Sequence, residues 1–147
     1  MKLVYSAISK HYFYFRQYIS KFILEQNCIP LNPFMIFEYF LLDAVKRDLI
    51  RKANNNLVKK ADELWVFGPI SDGVLKEIKL AKKLNKPIRY FEIIKDKKIK
   101  EISKKEVKFE KGSEKYKKQV INNKIRIKFF SQVLKNIRIV SLLQRDT

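Results

Sequence analysis

Four short apolar runs, "KLVYS" at Lys2–Ser6, "NCIPLNPF" at Asn27–Phe34, "ELWVFG" at Glu63–Gly68 and "KPIRYFEII" at Lys86–Ile94, alternate with longer segments whose apolar residues recur every three or four positions. This alternation constrains the fold more than any other feature. Strands joined by helices of ten or more residues pair in parallel, because each crossover returns the chain to the same end of the sheet. The predicted class is α/β, a Rossmann-like parallel sheet with helices on both faces. In such sheets ligands sit outside the carboxyl ends of the strands, which here are Ser6–Lys10, Asn32–Phe34 and Gly68–Gly73.

The helical segments follow from periodicity. From His11 to Gln26, the residues Phe15, Tyr18, Ile19, Phe22 and Ile23 lie at spacings of three and four, which gives one core-facing stripe. Pro30 and Pro33 punctuate the next strand, and Asn32-Pro33 favours a turn at its end. Met35 to Lys60 reads as helix with a break at "KANNN", since consecutive asparagines are poor helix interior. Ser71 to Leu84 is the third helix. Beyond it, "IIKDKKIKEI" suggests a hairpin and "EVKFE" a further short strand, while "KIRIKFF" fits both strand alternation and the helical spacing of the residues after it.

A chain of 147 residues can bury a core without metal or disulfide staples. We expect one domain at residues 1–95, followed by a basic extension at 96–147 packed on that domain or on a neighbouring subunit. The single cysteine, Cys28, excludes an intrachain disulfide and a zinc cluster, and the single histidine, His11, cannot complete a histidine-based metal site. No metal or cofactor is expected. The apolar-rich run Pro33–Val45 is interrupted by Glu38 and Asp43, far short of a membrane span, and Lys10, His11 and Arg16 cut the amino-terminal run too early for a secretory signal. These features predict a cytoplasmic protein without a membrane partner.

Charge is uneven. The net charge is +18, with 17 basic against 9 acidic residues through residue 95 and 16 against 6 after it. The excess would attract phosphate-bearing partners, and Tyr116, Phe129 and Phe130 are interleaved with the lysines of the carboxyl-terminal segment, as in some nucleic-acid-binding proteins. A compositional origin competes, because lysine greatly outnumbers the arginine that base readers favour.

One carboxylate is out of place. Ser71 is a suitable N-cap, Asp72 adds negative charge to the first turn, and Gly73 permits close backbone approach. At about 100° per residue from Val74, Ile78 falls at about 40°, Ala81 at about 340°, Leu84 at about 280° and Leu80 at about 240°. Lys76, Lys79 and Lys83 gather between about 140° and 200°, whereas Glu77 lands at about 300°, inside the apolar arc. Three and four residues on, Glu77 meets Leu80 and Ala81 rather than lysine. A carboxylate held against apolar groups must be paired, hydrogen-bonded or shifted in pKa, which makes it a candidate for chemistry; the alternative is that it reaches past the edge of the arc to water.

The stretch "ADELWVFGPISDGVLKEIKLAKKLNKPIRYF" resembles the heart of the nucleoside 2-deoxyribosyltransferase superfamily, which includes deoxynucleoside 5′-monophosphate N-glycosidases. The positions that carry the resemblance are Asp62, Ser71, Gly73, Glu77 and Ala81, and "VYSAIS" and "IPLNP" are similar to the first two strand ends. The resemblance implies that Glu77 is a nucleophile for C1′ of a nucleoside or nucleotide sugar, following the logic of carboxylate glycosidases. It further implies that Ser71 binds a 5′-phosphate, with the Gly73 N–H and the helix start completing a cradle. Lys10 would add charge there, and Tyr5, Tyr12 and Phe34 are candidates to stack on a base or to pack as core. Ser6, Asn32, Gly68 and Asp72 complete the strand-end set. Relatives assemble as oligomers, so the resemblance also implies a homo-oligomer.

The chain departs from the family at Asn54, where active members carry an aspartate that works beside the nucleophile, and the family's first-strand tyrosine is offset from Tyr5. An amide can hold a sugar hydroxyl but cannot deliver a proton. Three alternatives follow: the leaving base needs no strong acid, another group such as Tyr5 or Asp72 supplies the proton, or the chain binds without turnover.

Overall fold

A computed structural model describes residues 1–122. Two compact units divide the chain, Met1–Lys115 and a second that begins at Tyr116, whose described part is the short helix Lys117–Ile121. "KIRIKFF", Phe129 and Phe130 lie outside the described residues.

The first unit is built on a five-stranded sheet: β1 (Lys2–Ile8), β2 (Cys28–Leu31), β3 (Glu63–Phe67), β4 (Ile88–Ile93) and β5 (Ile99–Ile102), in the order β2-β1-β3-β4-β5. The pairs β1/β2, β1/β3 and β3/β4 are parallel, as the alternation predicts, and β5 is an antiparallel edge. The predicted hairpin is β4–β5. Its turn places Asp96 and Lys97 in the left-handed region, at φ 62° and 60°, as the twist of a tight hairpin demands.

One face of the sheet is covered by α1 (Arg16–Glu25), whose Ile19 and Ile23 are fully buried against Val4, Ile8, Trp65, Phe67 and Phe91. Phe67 and Phe91 stack at 4.9 Å, and Phe22 meets Phe91 edge-on at 5.3 Å. Tyr18, expected in this stripe, instead lies 41% exposed with the Lys97 ammonium over its ring. Residues Lys10–Phe15 form a 3-10 turn rather than the first turns of α1, started by the Ser9 hydroxyl, which accepts the His11 N–H at 3.3 Å.

Between β2 and β3 come α2 (Pro33–Ile36), α3 (Glu38–Ala44) and α4 (Arg47–Lys60). The helix breaks therefore fall at Phe37 and at Val45–Lys46, and "KANNN" lies inside α4. Tertiary packing outweighs the poor propensity of the asparagines: Asn55 and Asn56 face solvent while Val58 is fully buried, and α4 packs on β1 and on α5 (Asp72–Lys83). Lys86 fixes the end of α4 by donating to the carbonyls of Lys59, at 2.8 Å, and Ala61. The anticipated strand at "EVKFE" does not form. Phe109 instead makes one parallel bridge to Ile70, with Ile70 N–H donating to Lys108 C=O and Glu110 N–H to Ile70 C=O, both at 3.0 Å.

Candidate functional site

The strand order reverses between β1 and β3: from β1 the chain steps outward to β2, then crosses back to β3 and runs the other way. In sheets of this kind the connections leave on opposite faces at such a switch point, opening a crevice beyond the strand ends. Here that crevice is flanked by Ser9–His11 after β1 and Gly68–Asp72 after β3.

Tyr5, in the middle of β1, and Glu77, in the second turn of α5, meet where that helix packs on the strand. Alternation along β1 sends Val4 and Ile8 to the α1 face and Tyr5 to the other, where its hydroxyl donates to Glu77 Oε1 at 2.7 Å. Tyr5 is fully buried; Glu77 is half-buried as a residue, with its carboxyl desolvated. Burial is the main cause that pushes the Glu77 carboxyl up to about 7, opposed by the Tyr5 hydrogen bond, which favours the ionised form. Burial, and then the negative charge of Glu77, hold the Tyr5 phenol well above its ordinary range, so Tyr5 remains a donor. The buried arc of α5 is Val74, Leu75, Ile78 and Ala81, while Leu84 is 39% exposed. Glu77 therefore sits at one rim of that arc rather than in its middle.

The other expected residues divide. Ser71 caps α5, its hydroxyl accepting Val74 N–H at 3.3 Å, which leaves the hydroxyl proton for another acceptor. Gly73 is exposed, and the nearest atom to a β-carbon there would be Ser71 Oγ at 3.8 Å, so close backbone packing does not require this glycine. Asp72 Oδ1 accepts the Ser113 hydroxyl at 3.2 Å. Lys10 is exposed at the start of the 3-10 turn. Asn54 is part-buried on α4, and its Oδ1 is a buried acceptor with no donor among the described residues.

Three expected residues serve the scaffold. Ser6 is fully buried on the α1 face, opposite to Tyr5, and its hydroxyl reaches Leu31 C=O at 3.4 Å. Asn32 is 1% exposed and occupied at both ends: Oδ1 accepts Phe34 N–H at 3.1 Å, and Nδ2 donates to Arg16 C=O and Ser20 Oγ. Phe34 packs edge-on against Phe13 at 5.6 Å.

Gly68 has a definite structural duty. Its φ is 77°, and a β-carbon there would come 2.7 Å from Cε1 of Tyr12, whose ring packs on Phe15 at 5.3 Å. Gly68→Ala is expected to cost about 1–3 kcal/mol through left-handed strain and displacement of that ring. Urea unfolding tests this, and an unchanged midpoint would mean that Tyr12 yields freely.

A cluster that no sequence motif marks joins the ends of β1 and β3. Glu110 accepts from the buried Ser9 hydroxyl, and its Oε1 lies 3.0 Å from His11 Nδ1. Nothing in the sequence around His11 signals a partner 99 positions away.

An open cleft of 710 Å³ lies at the opposite, amino-terminal edge of the sheet, lined by residues including Lys2, Cys28, Asp62, Glu63, Trp65 and Arg89. Its charges are already matched: Lys2 pairs with Glu63 at 2.6 Å, Arg89 forks onto Glu101 at 2.8 and 2.6 Å, and Asp62 accepts Leu3 N–H at 2.7 Å. Cys28 is a buried free thiol at the start of β2.

A family model covers residues 5–91, from the tyrosine of β1 through the end of Phe91, and so spans the Tyr5–Glu77 pair. The chain belongs to the family described as Domain of unknown function (DUF7768). The DUF7768 region includes Tyr5, Asn54, Ser71 and Glu77 but stops before Glu110 and Ser113. Among solved structures, a 2-desoxiribosyltransferase from Leishmania mexicana is similar to this DUF7768 chain at 17% identity and a TM-score of 0.49, covering 64% of this chain and 66% of that one. No curated protein matches the chain. No helix among the described residues is long and apolar enough to cross a membrane.

Proposed function

We propose that this chain cleaves or transfers at the N-glycosidic bond of a nucleoside, nucleotide or related N-riboside, with Glu77 as nucleophile. The observation that carries the reading is the Glu77 carboxyl itself, raised to about 7 by its apolar surroundings and held by the Tyr5 hydroxyl where α5 packs on β1. Burial strengthens a carboxylate as a nucleophile, and the Tyr5 hydrogen bond fixes which oxygen is turned away. The motif resemblance of the Asp62–Ala81 stretch points to the same bond. Ser71 and the first turn of α5 would bind the exocyclic end of the sugar, and Asn54 Oδ1 would accept from a hydroxyl or amino group of the ligand.

Chromatography of the protein incubated with a panel of nucleosides, nucleoside monophosphates and NAD tests the reading. Free base should appear, together with a sugar adduct on Glu77 detectable by mass spectrometry. Absence of both with every substrate would overturn it.

A second reading keeps the ligand and removes the reaction, and the amide at Asn54 favours it. A nucleotide-binding protein would show ligand-induced thermal stabilisation that survives Glu77→Gln, with no base released. Nucleic-acid binding through residues 96–147 is a third reading, resting on charge; binding that persists at high salt or after removal of residues 113–147 would refute it. We further propose a homo-oligomer, which light scattering tests directly.

A further inference from the structure

We propose that His11, oriented by Glu110, is the proton donor to the leaving base, the task that the amide at Asn54 cannot perform. This rests on the glycosidic reading above and adds a residue to it. Three observations carry the inference.

The first is position. His11 lies just beyond the end of β1, and Glu110 is anchored just beyond the end of β3 through its N–H on Ile70 C=O at 3.0 Å, so the pair joins the two strand ends at the switch point. The second is chemistry. Glu110 lies 3.0 Å from Nδ1, and a carboxylate acceptor there requires Nδ1 to carry a proton. With Nδ1 turned to Glu110, Nε2 is the ring atom left to exchange a proton with a ligand, and the side chain is 67% exposed, so a ligand can reach it. The third is support. Glu110 is held by the Ser9 hydroxyl, and the turn it opens closes through Ser113 N–H on Glu110 C=O at 2.9 Å and Ser113 Oγ on Asp72 at 3.2 Å. The orienting carboxylate is thereby tied to the first turn of the helix that bears Glu77. Ser9 is not a rival nucleophile, because it is 2% exposed and its oxygen caps the 3-10 turn.

The step balances without any further reagent. As a Glu77 carboxylate oxygen bonds to C1′, the C1′–N bond breaks and its electron pair stays on the base nitrogen, which takes the proton from Nε2 of His11. In the return step, water attacks C1′ and gives its proton to the now neutral imidazole, and the Glu77 carboxylate leaves.

Leaving groups that do and do not need a proton separate this role from a structural one. A purine departs as an anion unless protonated, whereas a pyridinium base, as in nicotinamide riboside, departs neutral. His11→Gln is expected to lower kcat/KM for purine nucleosides on the order of 10²–10³-fold, within the range of general acid catalysis, and to leave the pyridinium riboside within about threefold. Glu110→Gln should show the same selectivity with a smaller loss. Equal losses on both substrates, or no loss on either, would overturn the role of His11 while leaving the glycosidic reading intact. Absence of turnover by the wild type on both classes would overturn that reading and this one with it. Urea unfolding of both variants identifies any loss that comes from folding.

Discussion

Glu77→Gln is expected to reduce base release on the order of 10³-fold or more and, at pH 8, to make the protein more stable. The loss follows from the role proposed for Glu77, since an amide cannot form the ester with C1′. The gain follows from the carboxyl environment alone. Because burial raises the Glu77 carboxyl from 4.5 to about 7, the folded state binds this proton more tightly than the unfolded state, and stability falls as pH rises through that window. The full shift corresponds to about 3 kcal/mol, and partial solvent access at Glu77 reduces the expectation to about 2–3 kcal/mol above pH 7. Near pH 4 the side chain is mostly protonated in both states and the advantage of Gln nearly disappears. Urea unfolding of both proteins at pH 4 and pH 8 measures the difference. Equal stability changes at the two pH values would mean that Glu77 is not desolvated. If Glu77 is the nucleophile, the wild-type rate on a pyridinium riboside, whose base departs without a proton, should also rise with pH through about 7 as the carboxylate forms.

Trp65→Ala is expected to have the largest effect on folding. Trp65 lies at the centre of the sheet, 1% exposed, with Phe91 at 5.1 Å and Phe22 at 6.3 Å. The Arg89 guanidinium sits 4.4 Å from its ring, and its indole N–H donates to Glu63 Oε2 at 2.8 Å. Truncation removes the core contacts and takes a donor from Glu63, a carboxylate that is itself mostly buried. Loss of about 3–5 kcal/mol is typical of such a change, against a total stability of about 5–15 kcal/mol for a domain. The urea midpoint should fall steeply, and a drop equivalent to less than about 1 kcal/mol would show that the core closes over the gap. Trp65→Phe should recover most of the packing and leave a smaller deficit from the missing N–H.

The fold was legible because its signals are local. Apolar runs in Lys2–Ser6, Glu63–Gly68 and Ile88–Ile93, separated by helical spacing, fix a parallel sheet through connection length alone. Local signals failed where packing outweighs propensity. Asn54, Asn55 and Asn56 predict a helix break, yet they lie in α4, whose Val58 is buried and which packs on α5 and β1. Tyr18 has the spacing of a core residue, but the wheel cannot tell which edge of the stripe is wet; Lys97 covers it at the surface instead.

The candidate site divides in the same way. Glu77 was legible because a carboxylate in an apolar arc is anomalous against its own helix, and the N-cap role of Ser71 is equally local. The partners of these residues were not. The Tyr5–Glu77 hydrogen bond joins positions 72 apart, and the Ser9–Glu110–His11 cluster joins positions about 100 apart. Ser6 and Asn32 were expected at the site from their place at strand ends. Side-chain alternation turned Ser6 to the α1 face, and capping consumed the hydrogen bonds of Asn32.

The sequence by itself determined the α/β class, the alternation of strands and helices from β1 through β4, the capped start of α5 and the anomaly of Glu77, because each depends on spacing within one element. Only the tertiary structure decided which face Tyr5 presents, where the sheet order reverses, and that Glu110 returns over the end of β3 to hold His11. Those outcomes depend on contacts between elements distant in sequence, and such contacts are set by packing rather than by any pattern along the chain.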